Sequence, residues 1–419
     1  MRILIATDAF PPASGGSGWS TYELARGLRA RGHELVIVQT YSEKSSVPPG
    51  HDGFEVIGFP AFAPRVPFVR NYFRNERLYE RLSGFLLELV RRNRIDLIHA
   101  QHVLTGPPAV RAAHAAGVPS VCTVRDYWPL CYWNDILQDP RAGCICPGCS
   151  PAAMTRCLPP RAGAAWPLTL PMIPYMRANL RGKQRALSGA NAIVAVSRQV
   201  AADLRQRSPA LARARIETIP NGVDVSDVRA NVHGTAGPMA EPYAVFVGKL
   251  ARNKGVDSLV EVAERAALDL PLVVIGDGPE RASLTASAAR AKRDIRLMGW
   301  LDREEVFRWL AHATFLIFPS NCPETLSRVL IEASALSVPI AAMNTGGTSD
   351  IIVDEETGLL SRSVVELASD VARLAGDVAL RQRLSAAAGK RAESYFDVPV
   401  VLDRMEQLYR DVIAGYRRN

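Results

Sequence analysis

The chain reads as an α/β protein made of two Rossmann-like, doubly wound domains, and three observations carry that reading. Short apolar runs alternate with helix-like stretches along the whole sequence, which is the pattern of parallel strands covered by helices. The runs form two series: 3–6, 35–39, 54–58, 97–100, 120–124, 192–196 and 216–219, then 243–247, 272–275, 295–298, 315–318 and 339–342. The series are separated by a stretch rich in turn formers, and 419 residues are too many for one ordinary core. Each series predicts a sheet whose ligand sites lie at the carboxyl ends of its strands, and hence a cleft between the two domains.

These elements set the expected boundaries. A first domain takes 1–222, interrupted by an irregular insertion at about 130–185 that is too long for a loop. A linker takes 223–242, a second domain 243–395, and 396–419 closes the chain with a helix over 398–416. With 48% hydrophobic and 22% charged residues the chain is expected to fold as a soluble protein. The opening run at 2–6 reads as a strand rather than a secretory signal, and no apolar run is long enough to span a bilayer.

The net charge of +8 is uneven. Between Pro140 and Ala202 there is no Asp or Glu against eight cations, and Arg65 to Arg94 adds eight arginines with Phe62, Phe68, Tyr72 and Phe73 interleaved. Such faces attract anionic partners, here an anionic membrane or a phosphorylated molecule. Nucleic acid is disfavoured because no binding motif accompanies the charge. The segment from Trp166 to Arg177 is apolar and aromatic, with prolines against a regular helix, and suits a membrane interface. Five cysteines, Cys131, Cys144, Cys146, Cys149 and Cys157, crowd the insertion. In a reducing compartment that crowding predicts metal rather than disulfides, and the spacing of Cys146 and Cys149 suits structural zinc.

The densest chemistry lies at 315–333. The run 315–318 ends at Pro319, and a helical pattern starts near Leu326, so Glu324 belongs to the loop and Glu332 to the helix. Two carboxylates so placed stand roughly 10 Å apart, each able to accept from vicinal hydroxyls. Lys249 and Lys254 flank an earlier strand-to-helix loop, where helix N-terminal N–H groups and two ammonium groups suit a diphosphate. Gly276, Gly278 and Gly299 follow strands and permit either close backbone approach or simple turns. Ser14-Gly15-Gly16-Ser17-Gly18 follows the first strand without the spacing of a dinucleotide fingerprint.

The spacing of Glu324 and Glu332, with Gly248-Lys249-Leu250 and Lys254-Gly255 upstream, resembles the nucleotide-sugar-dependent retaining glycosyltransferases of family 4, whose fold is GT-B. The resemblance spans nearly the whole chain, is most specific between Gly248 and Gly358, and is weakest at 130–185. It implies a metal-independent hexosyltransferase that moves a sugar from a nucleoside diphosphate onto a glycan or lipid-linked glycan, in cell-envelope or exopolysaccharide assembly. It implies an acceptor-binding first domain, a nucleotide-sugar-binding second domain, and a terminal helix that packs back on the first. Glu324 would hold the transferred sugar, Glu332 the ribose, and Lys249, Lys254 and the amides of Leu326 and Ser327 the diphosphate, with Gly299 near the nucleotide. Gly16 would approach the donor phosphate from the first domain. The expected location is cytoplasmic, where nucleotide sugars are made, with peripheral membrane contact.

The chain departs from the family pattern in several places. Arg125 stands where a histidine usually precedes the aspartate, here Asp126, and a guanidinium cannot act as a base. Lys249 replaces the commoner arginine, Thr325-Leu326-Ser327 a glycine-containing triplet, Ser337 a glycine, and Asp350 a glutamate. Arg125 keeps an idle nucleotide-sugar-binding protein open as an alternative, and a nucleotide-sugar epimerase or hydrolase of similar fold is a second. No paired aspartates suited to magnesium close a strand, so catalysis would rest on orientation and leaving-group stabilisation by the lysines.

Overall fold

The computed structural model describes all residues except 13, 43–49, 65, 67–68, 140–143 and 419; the side chain of Cys144 also lies outside the description. The chain divides into two compact units, residues 1–136, 146–222 and 398–419, and residues 137–145 and 223–397.

The strands, in order, are β1 Arg2–Thr7, β2 Glu34–Tyr41, β3 Val56–Pro60, β4 Leu97–Ala100, β5 Ser120–Val124, β6 Leu137–Asp139, β7 Cys144–Ile145, β8 Ala192–Ala195 and β9 Ile216–Thr218, then β10 Ala244–Val247, β11 Leu272–Ile275, β12 Ile295–Gly299, β13 Phe315–Phe318, β14 Ile340–Met343 and β15 Leu359–Ser361. The first unit carries a seven-stranded parallel sheet in the order β3-β2-β1-β4-β5-β8-β9. The second carries a six-stranded parallel sheet in the order β12-β11-β10-β13-β14-β15. Both sheets therefore reverse direction once, between β1 and β4 and between β10 and β13, and ligands in such sheets bind outside the strand carboxyl ends at that switch point. The central strands are buried on both faces, which is why they read as continuous apolar runs rather than alternating ones.

The terminal helix Val398–Tyr416 completes the core of the first unit, burying Val401, Leu402, Met405, Leu408 and Tyr409 against Leu24, Ala25, Leu28 and the sheet. Polar ties fix its register. His33 Nε2 lies 2.7 Å from Glu406, Arg31 donates to Asp403 at 2.6 Å and Glu406 at 3.1 Å, and His99 Nδ1 meets the Tyr409 hydroxyl at 2.5 Å. The stretch 223–242 is less extended than its turn formers suggest, because Asp224 caps a short helix, Val225–Ala230, by accepting from Asp227 N.

The insertion is more regular than expected. Prolines do break an α-helix at 163–172, but the chain forms a 3-10 helix there, with Pro167 and Pro171 inside it, and then an α-helix, Ile173–Ser188, whose Pro174 falls in the tolerant first turn. Tyr132, Met154, Cys157, Leu158 and Met176 make a small core of their own, with Trp133, Cys149, Trp166 and Tyr175 packed against it. Among the described residues, burial of this cluster pins the segment. Tyr175 and Asn179 both donate to Glu76, tying the insertion to the arginine-rich stretch 70–94. No helix among the described residues is long and apolar enough to cross a membrane.

Candidate functional site

The site in the second unit is assembled by three loops that leave β10, β13 and β14 at the switch point. The loop after β10 ends in Lys254 and Gly255. Gly255 has φ +68°, and a Cβ there would fall 1.9 Å from the carbonyl oxygen of Pro319, so only glycine lets this loop press against the end of β13. Cys322 N donates to Asn253 O at 3.2 Å and Ser320 Oγ to the same carbonyl, which closes the seam. Lys254 is thereby brought to Glu324, 70 residues on, with Nζ 2.6 Å from Oε1.

The loop after β14 clamps Glu324 from the other side. Gly347 N donates to Glu324 O at 2.6 Å, and Gly346, at φ +55°, would put a Cβ 2.1 Å from that oxygen. Glu324 is 7% exposed, and its Oε1 also accepts from Ser320 Oγ and lies 3.5 Å from Cys322 Sγ. Burial works against the Lys254 ammonium, but the adjoining carboxylate outweighs it and holds Lys254 above the usual lysine range. The Cys322 thiol is pushed up to about 11, chiefly by burial.

Glu332 lies on the helix Arg328–Ala335 and is nearly buried. Arg328, one turn earlier, donates to its Oε1 at 2.8 Å, and an Arg303 nitrogen stands 3.9 Å away. Ser327 is the extended N-cap residue of that helix with no side-chain cap bond, so the first-turn amides remain donors, and Leu326 is buried just before it. Lys249 is exposed and makes no ion pair among the described residues. Gly276 and Gly278 serve close packing: a Cβ would fall 1.9 Å from Gly248 O at the first and 2.3 Å from Leu250 O at the second. Gly299, at φ +79°, accepts from Gly276 N at 2.7 Å. Ser337 adopts φ +56°, a conformation glycine takes more easily, which accounts for the residue expected there.

Gly16, Arg125 and Asp126 belong to the first unit. Gly16 opens the helix Gly16–Ala30, so its N–H is a first-turn donor. Arg125 is tied down, donating to Asn221 Oδ1 at 2.9 Å, to Gln101 O at 3.2 Å and to the Gln101 side chain. It borders a hollow of only about 20 Å³, room for about one water. Asp126 accepts from Trp128 N at 2.7 Å, and burial raises its pKa to about 6.

The cysteines stay unbonded: Cys131, Cys146, Cys149 and Cys157 are free thiols. Burial, with neighbouring Cys131, Cys146 and Cys157 adding to it, pushes Cys149 up to about 12. Among the described residues no group of three or more His, Cys, Asp or Glu is arranged to hold a metal, and Cys144's side chain is outside the description.

Sequence reasoning missed Arg328, Arg303, Ser320 and Cys322. Arg328 was legible, since it precedes Glu332 by four positions on a helix. Arg303 was not, because it arrives from the helix Arg303–Ala311 through tertiary packing.

Comparison with known proteins agrees with this architecture. Residues 14–227 match the model of Glycosyltransferase Family 4, and residues 241–377 that of Glycosyl transferases group 1. The GDP-mannose-dependent alpha-mannosyltransferase of Mycobacterium tuberculosis is 27% identical over all of this chain and 98% of its own length. The alpha-maltose-1-phosphate synthase of the same species is 29% identical over 58% of this chain and 71% of its own. Among solved structures, the sucrose-phosphate synthase of Thermosynechococcus elongatus superposes with a TM-score of 0.70 at 20% identity, covering 99% of this chain and all of that one. The Anabaena protein HepE, in complex with UDP-glucose, does so at 0.66 and 17%, covering 98% and 100%. With its two doubly wound sheets in the GT-B fold and a family match over half its length, the chain belongs to Glycosyltransferase Family 4.

Proposed function

We propose that this protein is a retaining, metal-independent hexosyltransferase that moves a sugar from a nucleoside diphosphate to a glycan or lipid-linked glycan in cell-envelope or exopolysaccharide assembly. The observation that carries the reading is the Lys254–Glu324 pair, held at 2.6 Å by three loops at the switch point, with Glu332 one helix further on. The second unit would hold the donor and the first the acceptor. Lys249, Lys254 and the amides at Leu326 and Ser327 meet the diphosphate, Glu332 takes the ribose diol beside Gly299, and Glu324 takes hydroxyls of the transferred sugar. Gly16 offers a backbone donor to the phosphate.

In the transfer, the bond from the anomeric carbon to the diphosphate oxygen breaks and a bond to the acceptor oxygen forms on the same face. The acceptor's proton passes to the departing diphosphate, so no side-chain base is needed. Lysines and helix N–H groups stabilise the negative charge that develops there. Arg125, fixed by Gln101 and Asn221, cannot take a proton; it would bind a sugar hydroxyl or offset negative charge on the phosphate side, and Asp126 would orient groups beside it. The cation-rich stretches at 65–94 and 156–185 would bring the enzyme to an anionic membrane surface in the cytoplasm.

A thermal-shift screen with uridine-, guanosine-, adenosine- and thymidine-diphosphate sugars tests the donor assignment, because a ligand that binds only the folded form raises Tm. Donor turnover by wild type but not by Glu324→Ala supports transfer. Nucleotide binding without turnover in either would leave only a nucleotide-sugar-binding protein, and a rearranged donor would identify an epimerase.

A further inference from the structure

The donor reading leaves unused a second switch point, that of the first sheet. A hollow of about 430 Å³ opens at the carboxyl ends of β1, β2 and β4, within the size range of small-molecule sites. Its walls are polar and include Asp8, Arg74, Asn75, Tyr132, Asn134 and Lys183. Lys183 comes from the helix Ile173–Ser188, Arg74 from the stretch that follows β3, and Asp8 directly from β1.

Lys183 is only 4% exposed, and its ammonium has no ion-pair partner within 4.0 Å among the described residues. Burial lowers its pKa to about 8, with Asp126 and Glu76 acting in the opposite sense from a distance. A buried lysine without a close carboxylate is costly unless an anion meets it. Arg74 lines the same hollow, also without an ion pair among the described residues, so two cations face one carboxylate, Asp8. That carboxylate is itself weakened as a counter-charge, since burial raises its pKa to about 7. Its Oδ2 accepts from Leu104 N at 3.2 Å, whereas Asp8 Oδ1 and Asn134 Oδ1 are buried acceptors that no donor among the described residues reaches. Orphaned acceptors of this kind suit hydroxyl donors.

We infer that this hollow binds an acceptor that is both hydroxylated and anionic, with Lys183 and Arg74 holding a phosphate or carboxylate group and Asp8 and Asn134 accepting from sugar hydroxyls. The inference rests on the reading above that the first unit takes the acceptor, and it adds the acceptor's charge class. It accounts for the placement of the insertion helix, which delivers Lys183 to the pocket floor.

The test uses the full chain saturated with the nucleoside diphosphate that the thermal-shift screen selects, so that the donor's diphosphate site is filled. Calorimetry with glucose 6-phosphate, glucuronate and glucose covers free acceptors, and flotation with phosphatidylcholine vesicles carrying a polyprenyl phosphate covers a lipid-borne one. At least one anionic probe is expected to bind at least about tenfold more tightly than neutral glucose or plain vesicles, a difference of about 1.4 kcal/mol. Lys183→Met and, separately, Arg74→Gln should each remove most of that preference without lowering Tm and with the affinity for the nucleoside diphosphate unchanged. Glucose 6-phosphate binding alone points to a soluble acceptor, and vesicle binding alone to a lipid-linked one; either supports the inference. Equal binding of neutral and anionic probes, or an anionic preference that survives both substitutions, overturns it. Absence of binding by UDP, GDP, ADP and TDP alike would count against the donor reading, and it is seen separately, before any acceptor probe is added.

Discussion

Replacing Glu324 by glutamine separates the two jobs assigned to this carboxylate, because the amide keeps the shape and loses the charge. Its oxygen can still accept from Lys254 Nζ, now at 2.6 Å, and from Ser320 Oγ. A hydrogen bond to a charged acceptor nets about 1.5–3 kcal/mol and one to a neutral acceptor about 0.5–1.5, so the substitution costs about 1 kcal/mol of stability. The Lys254 side chain is 31% exposed, and solvent screening brings that figure down rather than up. Tm should then fall by about 2–4 °C. Transfer should suffer far more, since a fixed charge aimed at the reacting sugar contributes about 3 kcal/mol; kcat/KM is expected to drop by 10² to 10³, roughly. The affinity for the nucleoside diphosphate alone, which does not touch Glu324 in this account, should hardly change. Steady-state kinetics, a melting curve and a UDP titration on one preparation give all three quantities. Retention of more than about a tenth of kcat/KM, or loss of UDP affinity in step with activity, would refute the division of labour between Glu324 and the lysines.

Three further outcomes follow from the same geometry. Lys249→Ala removes an exposed cation, so Tm should hold while the Kd for the nucleoside diphosphate that the screen selects rises about five- to tenfold at low salt and less at high salt, measured by calorimetry. Gly255→Ala must move a Cβ off the Pro319 carbonyl and out of a left-handed conformation; unfolding experiments should show a loss of about 1–3 kcal/mol together with weaker UDP binding. Glu406 is partly desolvated, which raises its pKa, but His33 and Arg31 outweigh this and hold it below the usual carboxylate range. Its contribution is therefore complete above the unfolded value of 4.5 and is lost as pH falls through the lower folded value. The stability gap between wild type and Glu406→Gln in urea should be present at neutral pH and close in acid.

Much of the fold was legible because central parallel strands are buried on both faces and announce themselves as unbroken apolar runs. β11 and β13 are examples, whereas the short edge strand β15 carries no such run and was not read from the sequence. The glutamates were legible for a related reason: a loop followed by a helix at a known spacing is local information. What escaped the sequence is tertiary. Nothing near Lys254 announces Pro319 as its neighbour, and Arg303 reaches Glu332 only through packing. Lys183 reads as one cation in a basic stretch, and only the fold turns it inward to the switch point of β1 and β4. The cysteines show the same dependence on packing. Their spacing is that of metal ligands, while in the structure Cys149 and Cys157 fill a small apolar cluster with Tyr132 and Met154.

The most direct measurement is an electron-density map of the protein soaked with its nucleoside diphosphate sugar. The account predicts the diphosphate against Lys249, Lys254 and the amides of Leu326 and Ser327, the ribose on Glu332, and the sugar on Glu324. Density for the nucleotide anywhere else on the chain, with those side chains untouched, would contradict it.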